Sequence, residues 1–172
     1  KHHLIIDVIT ISFGFVLRAM AGAAAINVLV SPWLVVCTFT LCLFIALTKR
    51  RAEVETSGQA QATASRGVNA AYDLTDLNVM ISISAGMAII TYALYCLAPQ
   101  TVTQTVGSSN LIWTIPLVVY GVFRFNRLTR VHADDPVAVL VHDRAMYAVL
   151  LMYVVLAALI VHFGDKVQIL LN

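Results

Sequence analysis

The chain has 172 residues, of which 60% are hydrophobic and only 12% are charged, and its mean hydropathy is +0.86. A typical soluble domain carries about 25% charged residues, so this composition excludes an ordinary soluble enzyme and predicts that lipid is the solvent. The net charge of +2 says little by itself. We expect a single all-α transmembrane domain over residues 1–172, and the start at Lys1 without an initiator methionine predicts a fragment or a trimmed product.

Five apolar segments come close to the roughly 20 residues that a membrane-spanning helix needs. Pro32 suits the first turn of the second segment, because its missing N–H costs nothing there. The fourth segment is short and carries Pro116 inside it, which predicts a kink that neighbouring helices would have to support. The predicted helices cover residues of about 4–30, 32–47, 74–97, 108–123 and 145–163.

Basic residues are confined to two of the four connections between these segments. Residues 49–73 carry four lysines and arginines, residues 124–144 carry four, and the other two connections carry none. Because basic connections stay in the cytoplasm, we expect a multi-pass protein of the cell membrane with both charged connections and the N-terminus on the cytoplasmic side. The Ala-, Ser- and Thr-rich stretch 55–70 predicts that the 49–73 connection is a mobile loop.

Arg18 interrupts the first apolar segment and shares one helical face with Asp7, Gly14 and Gly22. A charge at membrane depth is costly and usually faces a partner or a wet cavity. One interpretation is an ion pair between Arg18 and Asp7, with the glycines allowing close helix packing. The other interpretation is that Arg18 lines a substrate cavity. The spacing of these residues fits both.

A second group of charges follows the second apolar segment. Lys49 and Glu53 are four residues apart and therefore share a helical face at the membrane edge, with Arg50 beside them. An interfacial anchor would need only their positive charge. Adjacent cations can also bind phosphate, and the carboxylate of Glu53 could hold a metal ion.

Two further groups have both a functional and a structural interpretation. Asp73 and Asp76 could form a metal-binding pair, or they could cap the third helix and favour its dipole. The stripe of Arg124, Arg127 and Arg130 could attract lipid headgroups or phosphorylated substrates, or could only set the topology. The scattered histidines and the three cysteines inside apolar runs indicate no metal site, and no nucleotide-binding glycine motif is present.

Several of these motifs together resemble one family. The matching stretches occur along nearly the whole chain in the order expected for the UbiA superfamily of intramembrane prenyltransferases, within the branch of decaprenyl-phosphate phosphoribosyltransferases. The three stretches are Asp7–Ala23, Leu47–Glu53 and Tyr120–Phe125, with a fourth, weaker match at Asp135–Pro136 and His142–Arg144.

The resemblance implies a nine-helix bundle whose central cavity opens sideways to lipid, and the five predicted helices would be the last five of the nine. It also implies a Mg²⁺ cofactor and two substrates, a polyprenyl phosphate lipid and a phosphorylated sugar donor, which in this branch is phosphoribosyl pyrophosphate. Membrane lipids are expected as surroundings, and no nucleic acid is expected as a partner.

The resemblance further assigns roles to individual residues. Catalysis is expected from Lys49, Arg50 and Glu53, which would be the second polar motif, with Lys49 at a position where many members carry an aspartate. Substrate binding is expected from Arg18, Tyr72 and Arg124. Magnesium binding is expected from Glu53, Asp73 and Asp76.

The sequence departs from the family in one respect, because the first Asp-rich motif, which anchors magnesium in members, has no counterpart in these residues. The leading hypothesis is therefore a UbiA-type transferase. The alternative is a non-catalytic membrane subunit or truncated relative that packs against partner helices. A weaker third hypothesis is part of a transporter, since charges within helices also mark substrate paths.

Overall fold

All the regular structure in the described part of the chain is helical. The computed structural model describes residues 2–27, 30–62, 74–98, 109–131 and 143–171. A 3₁₀ segment, Ser109–Thr114, leads directly into the fourth of five α-helices. The helices are α1 (His2–Ala25), α2 (Pro32–Ala62), α3 (Leu74–Leu97), α4 (Ile115–Val131) and α5 (Arg144–Leu171). The predicted all-α fold with five helices is confirmed.

Three of these helices are long and apolar enough to cross a membrane. The spans are Ile5–Ala25, Pro32–Glu55 and Leu74–Leu97 within the described residues. The described apolar part of α5, Arg144–Ile160, is shorter, and α4 has 17 residues and three arginines. Many large apolar side chains of α1, α3 and α5 are exposed, as lipid-facing side chains are. The chain is a membrane protein.

The first two helices end at positions that differ from the hydropathy prediction. α1 ends at Ala25, short of residue 30, and Asn27 follows it with a φ of 52°, a left-handed conformation that asparagine tolerates at helix ends. α2 continues to Ala62, because its Arg, Ala, Glu and Gln residues have good helix propensity beyond the apolar part. Residues 49–62 are therefore helix rather than loop, and residues 63–73 of the predicted connection lie outside the described residues.

The predicted kink at Pro116 is wrong. Pro116 is the second residue of α4, where its missing N–H would have had no partner within the α-helix. The residues before it, Ser109–Thr114, form the 3₁₀ segment instead. The proline therefore marks the start of α4, which runs on to Val131, past the predicted end at residue 123.

α2 lies at the centre of the bundle and packs against α1, α3 and α4, while α4 also contacts α3 and α5. The main core joins Val8, Phe44, Leu77 and Phe125, one from each of the first four helices. This packing brings the beginnings of α1, α3 and α5 together with the later parts of α2 and α4. One end of the bundle therefore receives side chains from all five helices.

Candidate functional site

Charged and amide side chains gather at this end of the bundle. Ion pairs and hydrogen bonds cross between helices there, linking α1 to α2, α2 to α3 and α4, and α4 to the start of α5. We call this region the charged end. Its residues are Asp7, Lys49, Arg50, Arg51, Glu53, Asp76, Asn78, Arg124, Asn126, Arg127, Arg130, Asp143 and Arg144.

Arg50 lies between two carboxylates. Its Nη2 contacts Oδ2 of Asp7 on α1, and its Nη1 donates to Oε2 of Glu53 at 2.7 Å. These side chains are partly exposed, at 34% for Arg50, 44% for Asp7 and 45% for Glu53, so water screens both pairs. The ion pair with Asp7 links α2 to α1. Because two carboxylates already neutralise the charge of Arg50, it would bind a phosphate only weakly.

Arg51, the next residue, has the opposite environment. Its side chain is 0% exposed, and its guanidinium donates to Oδ1 of Asn78 at 3.0 Å, to Oδ1 of Asn126 at 3.3 Å and to Oγ1 of Thr129 at 2.9 Å. The Nε atom is buried without a hydrogen-bond partner. A single guanidinium therefore joins α2 to α3 and α4, and all its partners are uncharged.

Lys49 takes part in neither of these arrangements. It is exposed, and no ion pair to it is found among the described residues. Arg127 and Arg130 on α4 are exposed as well. Lys49 is thus the member of the predicted Lys49, Arg50 and Glu53 group whose cation is available to a ligand.

Arg124 is held by the start of α5. Its Nε and Nη2 donate to Asp143 at 2.7 and 3.0 Å, and its Nη1 donates to the hydroxyl of Tyr120 at 3.0 Å. Asp143 also accepts the backbone N–H of Ala145, as a helix-capping residue does. The hydrogen bonds from Arg124 lower the pKa of Asp143 below its ordinary value. The predicted substrate-binding Arg124 therefore has a structural partner.

Arg18 lies apart from the charged end. It is exposed, and its guanidinium sits 5.2 Å from the ring centroid of Phe15. The ion pair with Asp7 considered above is wrong, because Asp7 contacts Arg50 instead and eleven residues of helix separate Asp7 from Arg18 by about 16 Å. A Cβ added at Gly14 or Gly22 would meet nothing within 4 Å, so close helix packing at these glycines is not seen in the described structure.

The predicted magnesium ligands are only partly described. Tyr72 and Asp73 lie outside the described residues, while Asp76 is exposed in the first turn of α3. The described residues contain no group of three or more His, Cys, Asp or Glu side chains that could hold a metal ion. Mg²⁺ often needs only one or two carboxylates, with substrate phosphates and water completing its six ligands. The exposed carboxylates of Glu53 and Asp76 fit that smaller requirement.

Two apolar grooves are open to the bundle surface. The first, of about 270 Å³, lies between α1, α2 and α3, and its lining includes Val8 and Leu47. Val8 follows Asp7 directly, and Leu47 lies two residues before Lys49, so this groove meets the charged end. The second, of about 250 Å³, lies between α2, α3, α4 and α5 and is bordered by Tyr92 and Tyr153. Arg18 lines neither groove.

Sequence reasoning missed the group around Arg51. It treated Arg51 as one of several basic residues and did not single out Asn78, Asn126 or Thr129. A usable signal was present, since Asn126 and Thr129 are three residues apart and Asn78 directly precedes the apolar run Val79–Ile81 of α3. Inward-facing amides in a membrane bundle require a polar partner, and Arg51 is that partner.

An all-α membrane protein with most of its described charged side chains at one end is the class that this structure defines. No family model matches the chain. The chain is 23% identical to the decaprenyl-phosphate phosphoribosyltransferase of Mycolicibacterium smegmatis over 164 residues, which cover 90% of this chain and 50% of that protein. For the enzyme of the same name from Mycobacterium tuberculosis, the identity is 23% over 165 residues, covering 95% and 53%.

The decaprenyl-phosphate phosphoribosyltransferase of Corynebacterium glutamicum is 33% identical over 95 residues, which cover 55% of this chain and 28% of that protein. The predicted resemblance to such phosphoribosyltransferases is confirmed. The chain spans about half the length of the curated relatives it matches.

Proposed function

We propose that this chain belongs to a UbiA-type membrane transferase that joins a polyprenyl phosphate to a pyrophosphate-activated donor, with phosphoribosyl pyrophosphate as the donor. The observation that supports this most is the similarity to phosphoribosyltransferases over 90–95% of the chain. The structure adds a charged end, which would receive phosphates, beside an apolar groove that reaches it. The charged end would face the cytoplasm, where basic connections remain.

The lipid substrate would lie with its phosphate at the charged end and part of its hydrocarbon chain in the groove between α1, α2 and α3. Apart from Ser84, whose hydroxyl donates to the carbonyl of Ile81, the groove lining is apolar. A hydrocarbon chain fits such a lining because it needs no hydrogen bonds. The exposed ammonium of Lys49 would bind the phosphate where the groove ends.

The reaction would replace one C–O bond at the anomeric carbon of the donor with another. An oxygen of the lipid phosphate would form the new bond, and pyrophosphate would leave with the electron pair of the old one. Lys49 would stabilise the negative charge that develops on the departing pyrophosphate. Mg²⁺ would supply further charge stabilisation when bound, and Glu53 and Asp76 are the described residues that would hold it. Arg50 would keep Glu53 and α1 in place.

Glu53 and Asp7 provide a matched test, because both carboxylates contact the same guanidinium of Arg50. If Glu53 binds magnesium or the donor, Glu53→Gln in the full-length protein should reduce transfer at least a hundredfold and change its magnesium dependence. Asp7→Asn removes the other partner of Arg50 and should reduce transfer less than tenfold. Turnover is measured in detergent across a magnesium titration, with protein abundance checked in parallel.

Equal turnover and equal magnesium dependence in wild type and Glu53→Gln would contradict the role of Glu53. Equal losses in both variants would mean that Glu53 acts only through its ion pair with Arg50. If the wild-type protein transferred no phosphoribosyl group at all, the non-catalytic subunit would replace the transferase as the best explanation.

A further inference from the structure

The buried guanidinium of Arg51 has no carboxylate in its hydrogen-bonding shell. Its described acceptors are two asparagine side chains, the backbone carbonyl of Asn126 and the hydroxyl of Thr129. The charges that act on it from beyond this shell, Arg130 and Glu55, have opposite signs. Among the described residues no ion pair to Arg51 is found.

Burying Arg51 without a carboxylate costs free energy, and a single change from asparagine to aspartate would supply that carboxylate. An ionised arginine out of contact with water is expensive unless its charge is compensated. Asn78 and Asn126 each place an amide oxygen against the guanidinium, and aspartate at either position would have the same shape with a negative charge. Arg50, one residue away, has two such carboxylates.

We propose that Arg51 raises the affinity for a polyanionic phosphorylated substrate, because its burial without a carboxylate partner adds positive charge to the charged end. The charge of Arg50 is opposed by the carboxylates of Asp7 and Glu53, whereas Lys49 has no ion pair among the described residues. Arg51 adds a positive charge that no hydrogen-bonded carboxylate opposes, and salt screens this charge weakly because it is buried. Arg51 would not touch the substrate, and would favour pyrophosphate-bearing sugars over uncharged ones through its field. This inference rests on the proposed transferase function.

The test is to add the missing carboxylate without changing the shape of the site. Asn78→Asp should remain ionised beside Arg51 and keep the hydrogen bond, so the unfolding temperature of the full-length protein should be unchanged or higher. At an effective dielectric constant of about 20, a unit charge about 10 Å away alters the binding of an anion by about tenfold. We therefore expect the KM for phosphoribosyl pyrophosphate to rise about tenfold while kcat stays within about twofold.

Two further variants complete the experiment. Asn126→Asp places the same charge on the other side of Arg51 and should raise KM similarly. Asn27→Asp is the control, because it makes the same substitution at an exposed position at the opposite end of α1, and it should leave KM unchanged.

An unchanged KM in folded Asn78→Asp and Asn126→Asp proteins would overturn the inference. Failure of both variants to fold would overturn it as well. The two asparagines would then be needed for the packing around Arg51, and the missing carboxylate would not serve substrate binding. Absence of any transfer by the wild-type protein would be a different result, since it would refute the proposed function on which the inference rests.

Discussion

The two halves of the bundle satisfy their polar groups in different ways. Away from the charged end, Tyr92 places its hydroxyl 2.5 Å from Oγ1 of Thr114 and 3.2 Å from the hydroxyl of Tyr153, and Thr40 and Thr91 are hydrogen-bonded at 3.0 Å. We call these five residues the hydroxyl cluster. Its three threonines, Thr40, Thr91 and Thr114, also lie within hydrogen-bond distance of carbonyls of their own helices, so the cluster is satisfied internally.

The charged end contains basic side chains that form no ion pair among the described residues. Arg51 is buried without a carboxylate, and Lys49 is exposed with no ion pair among the described residues. Asn78 and Tyr92 are separated by about 20 Å along α3, so the two regions can be altered independently. The comparison indicates that the hydroxyl cluster stabilises helix packing, whereas the charged end is where a negatively charged ligand would bind.

The largest expected effect comes from removing Arg51. Arg51→Ala should destabilise the protein by roughly 3 kcal/mol or more, because it leaves a cavity and several buried acceptors without a donor. Tyr92→Phe should cost about 1 kcal/mol, because Thr114 keeps its hydrogen bond to the carbonyl of Leu111. Thermal unfolding in detergent measures both. Equal losses would contradict the distinction between the two halves.

A smaller effect is expected at the pair of Arg124 and Asp143. Because Arg124 lowers the pKa of Asp143 in the folded protein, the pair contributes stability above the ordinary pKa of an aspartate and loses it as the pH falls through the lowered folded value. At pH 7 the wild-type protein should therefore unfold at a higher temperature than Asp143→Asn. The two unfolding temperatures should converge below pH 3.8, the unperturbed pKa. A difference that persists at lower pH would show that charge is not the cause.

The sequence predicted the helices better than their ends. α3 begins and ends where hydropathy placed it, because the apolar run coincides with the helix and Pro99 follows it. α2 extends past its apolar part, because hydropathy records burial in lipid whereas helix formation depends on backbone propensity, which polar residues also have. The 3₁₀ segment before Pro116 was missed for the related reason that hydropathy does not distinguish helix types.

The positions of the site residues were easier to predict than their partners. Lys49, Arg50 and Glu53 do lie at one end of the bundle, where the edge of the apolar segment placed them. The partner of Asp7 could not be found from the periodicity of α1 alone, since Arg50 belongs to a neighbouring helix. Which helices touch, and at which register, is decided by packing of the whole bundle, and no single segment contains that information.

The central claim is that the charged end binds the phosphorylated substrates of a transfer reaction, and Lys49 tests it most directly. Phosphoribosyl transfer from phosphoribosyl pyrophosphate to decaprenyl phosphate should be measured with purified full-length protein, wild type beside Lys49→Gln. We expect product from the wild type and at least a tenfold lower kcat/KM for Lys49→Gln at equal unfolding temperature, because an exposed cation contributes to binding but little to stability. Equal kcat/KM for the two proteins, or no product from the wild type, would contradict the account.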